Sequence, residues 1–200
     1  CDVLRYWIET YKIDGYRFDL AKGMGATNSY ASDYDAGRYN SSRITILKKY
    51  IDAIKAANPN AYAIFEYFVD GGEEDEIANY GGLSWNNKTH NYANAVSGNS
   101  SGSSFAGMNA YGKVGYMESH DEERVSYTAS QSSDKNAASL SNRLKRLGSA
   151  AAFMIMNPGS KMIWQFGEIG YDLPLGNEDE KLKEKDSPWG WVDKNVTAEG

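Results

Sequence analysis

The chain has 200 residues with 21 basic and 27 acidic side chains, giving a formal charge of −6 and a pI near 5.0. That balance excludes the basic surface by which a protein binds nucleic acid or an anionic membrane, while leaving a neutral substrate unrepelled. Hydrophobic and aromatic contents of 41% and 13% suit one folded domain with its own core, and the lone Cys1 excludes an intrachain disulfide and a cysteine-based metal site.

Leu4, Trp7, Ile8 and Tyr11 recur at helical spacing and predict an amphipathic helix. Cys1-Asp-Val-Leu4 shows no initiator methionine and no signal peptide, and reads as the inside of a helix of something longer. Gly15 to Leu20 reads as an aromatic-rich strand that runs out at Asp19. Gly23, Gly25 and the polar stretch to Asn40 predict a long loop, a feature often functional in compact domains. Ile44, Leu47, Ile51 and Ile54 predict a second helix, terminated by Asn58-Pro59. Ala61 to Tyr67 is the next strand, and Gly71-Gly72 opens a helix whose Glu73, Glu74 and Glu76 suit its N-terminal dipole.

Leu83 to Asn86 predicts a short strand, Asn87 to Val96 a helix, and Ser97 to Ser104 a polar, flexible loop. Val114 to Glu118 is a further strand. Ser139 to Met156 reads as the longest helix, with an alanine-rich second half able to pack tightly. Lys161 to Phe166 is the last strand before an irregular tail. The longest apolar run, Ala150 to Met156, is far too short to span a bilayer. Alternating α and β elements imply a parallel sheet, with five strands predicted where a closed barrel needs eight.

Three acidic motifs stand at the ends of apolar runs: Asp14-Gly-Tyr-Arg17-Phe-Asp19, Ala63-Ile-Phe-Glu66-Tyr67 and Gly115-Tyr-Met-Glu-Ser-His120-Asp121. Carboxylates at the C-terminal ends of strands on separate βα units are how a parallel barrel assembles an active site. Converging without a clear metal-ligand cluster, they suggest glycosidic chemistry, whose oxocarbenium-like transition state wants negative charge and a proton donor. Arg17 and Asp19, two apart on a strand, share a face, and a guanidinium suits a nucleophile that must stay ionised. Glu66, between Phe65 and Tyr67, can be partly desolvated, as suits an acid/base. Asp121 is placed to bond sugar hydroxyls.

Taken singly, each signal has a blander meaning. Arg17–Asp19 can be a structural ion pair and Glu66 a solvated carboxylate near a loop. Ser119-His120-Asp121 could suggest a hydrolase triad, although adjacent residues on one strand point apart and would not converge. Glu118, Glu122 and Glu123 read as a solvated cluster or as partners of Arg124. Trp85, Trp164, Trp189 and Trp191 are candidate sugar platforms, though buried aromatics are commoner. The steps from 19 to 66 and from 66 to 121, 47 and 55 residues, suit carboxylates on the fourth, fifth and seventh strands of a barrel.

Gly15-Tyr-Arg-Phe-Asp-Leu-Ala-Lys22 resembles the second conserved region of the α-amylase family of retaining glycoside hydrolases. Phe65-Glu66-Tyr67 resembles the third, Tyr116 to Asp121 the fourth, and Ile163 to Gly170 the last barrel strand with its loop. The resemblance runs from about Leu4 to Asp172. It implies an α/β fold of the (β/α)8 TIM-barrel type, present as a partial barrel of strands four to eight. Residues 1–172 would be the C-terminal part of a catalytic domain and 173–200 an irregular tail.

The resemblance also implies Asp19 as nucleophile, Glu66 as acid/base and Asp121 as transition-state stabiliser, with Arg17, Lys22 and His120 as substrate-binding supports. The substrate would be an α-1,4-linked glucan such as starch, and calcium the cofactor it allows. Starch is too large to enter cells, so export is implied. Gly23 stands where the family has His, leaving only a backbone carbonyl there for a cation, and Ser119 stands where it has Asn. The family's first conserved region has no match. A transglycosylase and a non-catalytic carbohydrate-binding relative are the alternatives. An open five-stranded sheet has two unpaired edges, so the isolated chain is expected to be inactive and to self-associate or repack.

Overall fold

A computed structural model describes residues 1–25, 32–105, 111–177 and 179–190. In chain order the elements are α1 (Asp2–Tyr11), β1 (Gly15–Phe18), α2 (Asp33–Gly37), α3 (Ser41–Ala57), β2 (Tyr62–Phe65), α4 (Gly71–Tyr80), β3 (Leu83–Asn87), α5 (Thr89–Val96), β4 (Lys113–Tyr116), α6 (Val125–Ser130), α7 (Lys135–Ala138), α8 (Leu140–Met156) and β5 (Ser160–Lys161). The strands form one sheet in chain order, with β1–β2 and β2–β3 parallel. Parallel neighbours joined by helices are the repeating unit of a (β/α)8 barrel. Two compact units divide the chain: Cys1–Trp85 with Ala110–Val114, and Asn86–Asn109 with Gly115–Gly200.

The core of the first unit follows the predicted helical period. Ile44, Leu47, Ile51 and Ile54 of α3 are at most 3% exposed and cluster with Ala63 and Phe65 of β2. Asn40 caps α3, its Oδ1 accepting from the N–H groups of Ser42 and Arg43. Asp70 caps α4 through Gly72 N–H, and Gly81 ends it in the left-handed conformation. The opening helix departs from its expected amphipathic face. Only Ile8 is buried there, while Trp7 and Tyr11 stay exposed and pack on each other, ring centroids 4.8 Å apart.

At the start of β1, Gly15 has φ +151°, and a Cβ there would lie 2.3 Å from the Tyr62 carbonyl oxygen. The two strands therefore approach as closely as only glycine permits. Their register pairs Gly15 with Tyr62 and Phe18 with Phe65.

In the second unit Tyr92 and Val96 of α5, Val125 and Ala129 of α6, and Leu144, Leu147 and Met154 of α8 share a core. Burial pushes the Tyr92 hydroxyl up to about 12. Several boundaries differ from the sequence reading. β3 keeps Asn87, whose side chain caps Thr89 N–H at 3.1 Å, so α5 starts two residues late. α8 has 17 residues, as many as α3, and in its alanine-rich half only Met154 is buried.

The last strand is only Ser160–Lys161 and does not run on to Phe166, which takes φ 70° and leads into a 3₁₀ turn at Gly167–Ile169. The loop expected from Gly23 to Asn40 contains α2, and its residues 26–31 lie outside the described residues, as do 178 and 191–200 of the tail. No helix among the described residues is long and apolar enough to cross a membrane.

Candidate active site

Because Phe18 pairs with Phe65, the next residues, Asp19 and Glu66, leave adjacent strand ends in step. Arg17 joins them. Its Nη1 lies 2.6 Å from Asp19 Oδ1 and its Nη2 lies 2.8 Å from Glu66 Oε1. A carboxylate oxygen of Asp19 and one of Glu66 are within 4.8 Å of each other. The guanidinium itself stacks over the Trp85 ring at 4.4 Å. That indole is 7% exposed and faces the arginine, so it is no sugar platform.

Glu66 is held on every side. It is 8% exposed, its Oε2 accepts from Leu20 N–H at 3.1 Å, and its backbone bonds Phe18 and Ala21. Leu20 aims that N–H by adopting φ 46°, a left-handed conformation uncommon for a bulky residue. The Asp19 side chain is by contrast 74% exposed. One carboxylate is buried and clamped beside another that is open to solvent. Lys22 lies on the 3₁₀ turn Ala21–Gly23, half-buried, with its carbonyl oxygen bonded by Arg43.

In the second unit the chain leaves β4 at Tyr116 and bends through the third motif. His120 Nε2 lies 3.3 Å from Asp121 Oδ2, and Lys181 Nζ lies 4.0 Å from Asp121 Oδ1. The expectation that adjacent residues point apart fails because these two sit on a bend, beyond the strand. No triad forms, since Ser119 Oγ bonds Glu122. Trp164 packs near the His120 ring at 6.1 Å.

Of the two readings of the acidic residues near Asp121, partnership with Arg124 holds for Glu118 and Glu123, while solvation fails for Glu118. Glu118 is 5% exposed, bonded by Arg124 Nη1 at 2.9 Å and by Val125 N–H at 2.7 Å. Glu123 accepts from the N–H groups of Arg124 and Leu175. The missed signal was alternation: Val114, Tyr116 and Glu118 share one buried face. Burial pushes Glu118 above the ordinary 4.5, outweighing Val125 N–H and the Arg124 charge. The same carboxylate lines an apolar cavity of about 430 Å³ between α8 and the 3₁₀ turn at Gly167–Ile169.

The structure thus brings Arg17, Asp19 and Glu66 together in the first unit and His120 and Asp121 together in the second. No protein-family profile matches the sequence. A pullulanase from Klebsiella pneumoniae is similar in structure, with TM-score 0.58 and 14% identity, over 86% of this chain and 24% of that one. An α-amylase from Geobacillus thermoleovorans, complexed with acarbose, matches with TM-score 0.54 and 15% identity, over 99% of this chain and 43% of that one. A glycogen debranching enzyme of Salmonella paratyphi B is 54% identical over 33 residues, 16% of this chain and 5% of that protein. The match therefore covers less than half the length of each. The resemblance to the α-amylase family extends to the backbone, which is that of a partial (β/α)8 barrel.

Proposed function

We propose that the chain carries the catalytic pair of a retaining α-glucan hydrolase acting on α-1,4-linked glucose polymers. Glu66 protonates the glycosidic oxygen while Asp19 attacks the anomeric carbon and displaces the leaving sugar. Water, deprotonated by Glu66, then releases the glycosyl group from Asp19 with retained configuration. Asp121, braced by His120, stabilises the transition state by bonding sugar hydroxyls, and Lys22 contacts the substrate. One observation carries this reading: a single guanidinium bridges two carboxylates within 4.8 Å at matched strand ends. Two carboxyl groups about 5–5.5 Å apart are the spacing of nucleophilic attack, since inversion needs room for water between them.

Calcium is allowed by the family resemblance, but the described ends of the β1–α3 connection do not fit it. Calcium takes about six to eight oxygens at close range. Here the carbonyl oxygens of Lys22, Ala36 and Arg38 already converge on the Arg43 guanidinium. Export is proposed only because a starch polymer is too large to enter a cell.

The test is reducing-sugar release from soluble starch by the native polypeptide, with Glu66→Gln and Asp19→Asn alongside. Each variant is expected to lose roughly 10²–10⁴-fold in kcat. Retention is read from the anomer first released. A protein that binds maltooligosaccharides without cleaving them, or that releases the inverted anomer, overturns the reading.

A further inference from the structure

A completely buried guanidinium stands beside the connection that follows Asp19. Arg43, Glu73 and Tyr67 are each 0% exposed. Arg43 Nε and Nη2 donate to Glu73 Oε1 and Oε2 at 2.7 and 2.8 Å. Nη1 donates to the carbonyl oxygens of Lys22 at 2.6 Å and Ala36 at 2.7 Å, and Nη2 to that of Arg38 at 2.9 Å. All five guanidinium N–H groups therefore meet an oxygen. Glu73 is filled in turn by Asn40 N–H at 2.7 Å and by the Tyr67 hydroxyl.

Burial alone would lower Arg43, but the hydrogen bonds and charge of Glu73 outweigh it and hold the guanidinium above its ordinary value. Burial, and then Glu73, pushes the Tyr67 hydroxyl up. The guanidinium stays charged and the phenol stays protonated. A buried ion pair is by itself a weak reason for stability. What matters here is what this one gathers: backbone from both described ends of the β1–α3 connection, and the residue next to Glu66.

We propose that Arg43 is a positioning residue, a built-in cation that holds the Lys22 and Arg38 ends of the connection after Asp19 in place, so that no exchangeable divalent ion is needed for the task. Its consequence for catalysis rests on the function proposed above. The positioning itself does not.

Lys22 and Arg38 are both trypsin sites, and the carbonyl oxygens of their cleavable bonds are the atoms Arg43 holds. The experiment follows cleavage after these two residues by mass spectrometry, with the bond after Lys145 in α8 as internal control. Wild type should be cut slowly, and equally slowly in EDTA. Arg43→Lys keeps the charge but loses the fork, and Glu73→Gln weakens it, so each should be cut about tenfold faster at these sites only. Millimolar guanidinium should restore protection to Arg43→Gly where equal urea does not.

Wild-type cleavage that EDTA accelerates, or variants cut no faster than wild type, overturns the proposal. If Arg43→Lys fails to fold, the EDTA arm and Glu73→Gln still decide. In the native polypeptide Arg43→Lys should raise KM for maltooligosaccharides about tenfold with kcat nearly unchanged. A native polypeptide without activity would refute the function and leave the cleavage result standing.

Discussion

Glu66 and Glu118 are built alike and differ in what their arginines reach. Each follows the C-terminal end of a strand, is less than one-tenth exposed, and is held by one arginine and one backbone N–H. The difference lies in where the arginine goes next. Arg17 continues to a second carboxylate, the open Asp19, whereas Arg124 continues to the carbonyl oxygen of Gln165 at 2.8 Å. A buried, arginine-paired carboxylate is thus a structural device this fold uses twice. Only the second acid on the same guanidinium separates a candidate catalytic pair from a packing element.

Removing each arginine should break the comparison in opposite directions. Arg124→Met leaves Glu118 as a buried charge without its partner and should cost about 3–5 kcal/mol of stability by urea unfolding. A cost near that of a surface pair, below about 1 kcal/mol, would show that Glu118 is not truly desolvated. Arg17 is more exposed, at 27% of its side chain, so Arg17→Met should leave the fold intact. Its loss should appear in kcat/KM instead, about a hundredfold, or roughly 2.7 kcal/mol. Arg17→Lys should not restore activity, because one ammonium cannot span both carboxylates as the fork does. Full rescue by lysine would contradict the bridging role.

The smallest effect sharpens the contrast through pH. Unfolded, Glu118 titrates near 4.5, and folded it titrates higher. Between those two values the folded chain binds a proton that the unfolded chain has released. Stability should therefore fall as pH rises through that window. Glu118→Gln should flatten this part of the urea-midpoint profile, and an unaltered slope would show that another group governs it.

The carboxylates were legible because strand period and spacing place them, and Ile44, Leu47, Ile51 and Ile54 were legible because helix period does. The buried Glu73 was not. Glu73, Glu74, Asp75 and Glu76 form an acidic run that reads as a solvated helix start, yet Glu73 lies one turn before the buried Ile77 and shares its face. Arg43, thirty residues earlier, likewise lies one turn before Leu47. Periodicity could have placed both inside, but composition argued against it, since charged residues are almost never fully buried unless paired. The left-handed Leu20, whose N–H reaches Glu66, left no trace in the sequence at all.

Gly15 carries a consequence well beyond its own turn. Alternation along a strand means that a slip of one residue between β1 and β2 would send Arg17 to the opposite face and put Asp19 out of step with Glu66. With no room at Tyr62 for any side chain larger than hydrogen, the strands meet at a mechanical stop four residues upstream of the acids. Alignment at one end of the sheet is gauged at the other, much as a carpenter's fence sets a cut made at a distance.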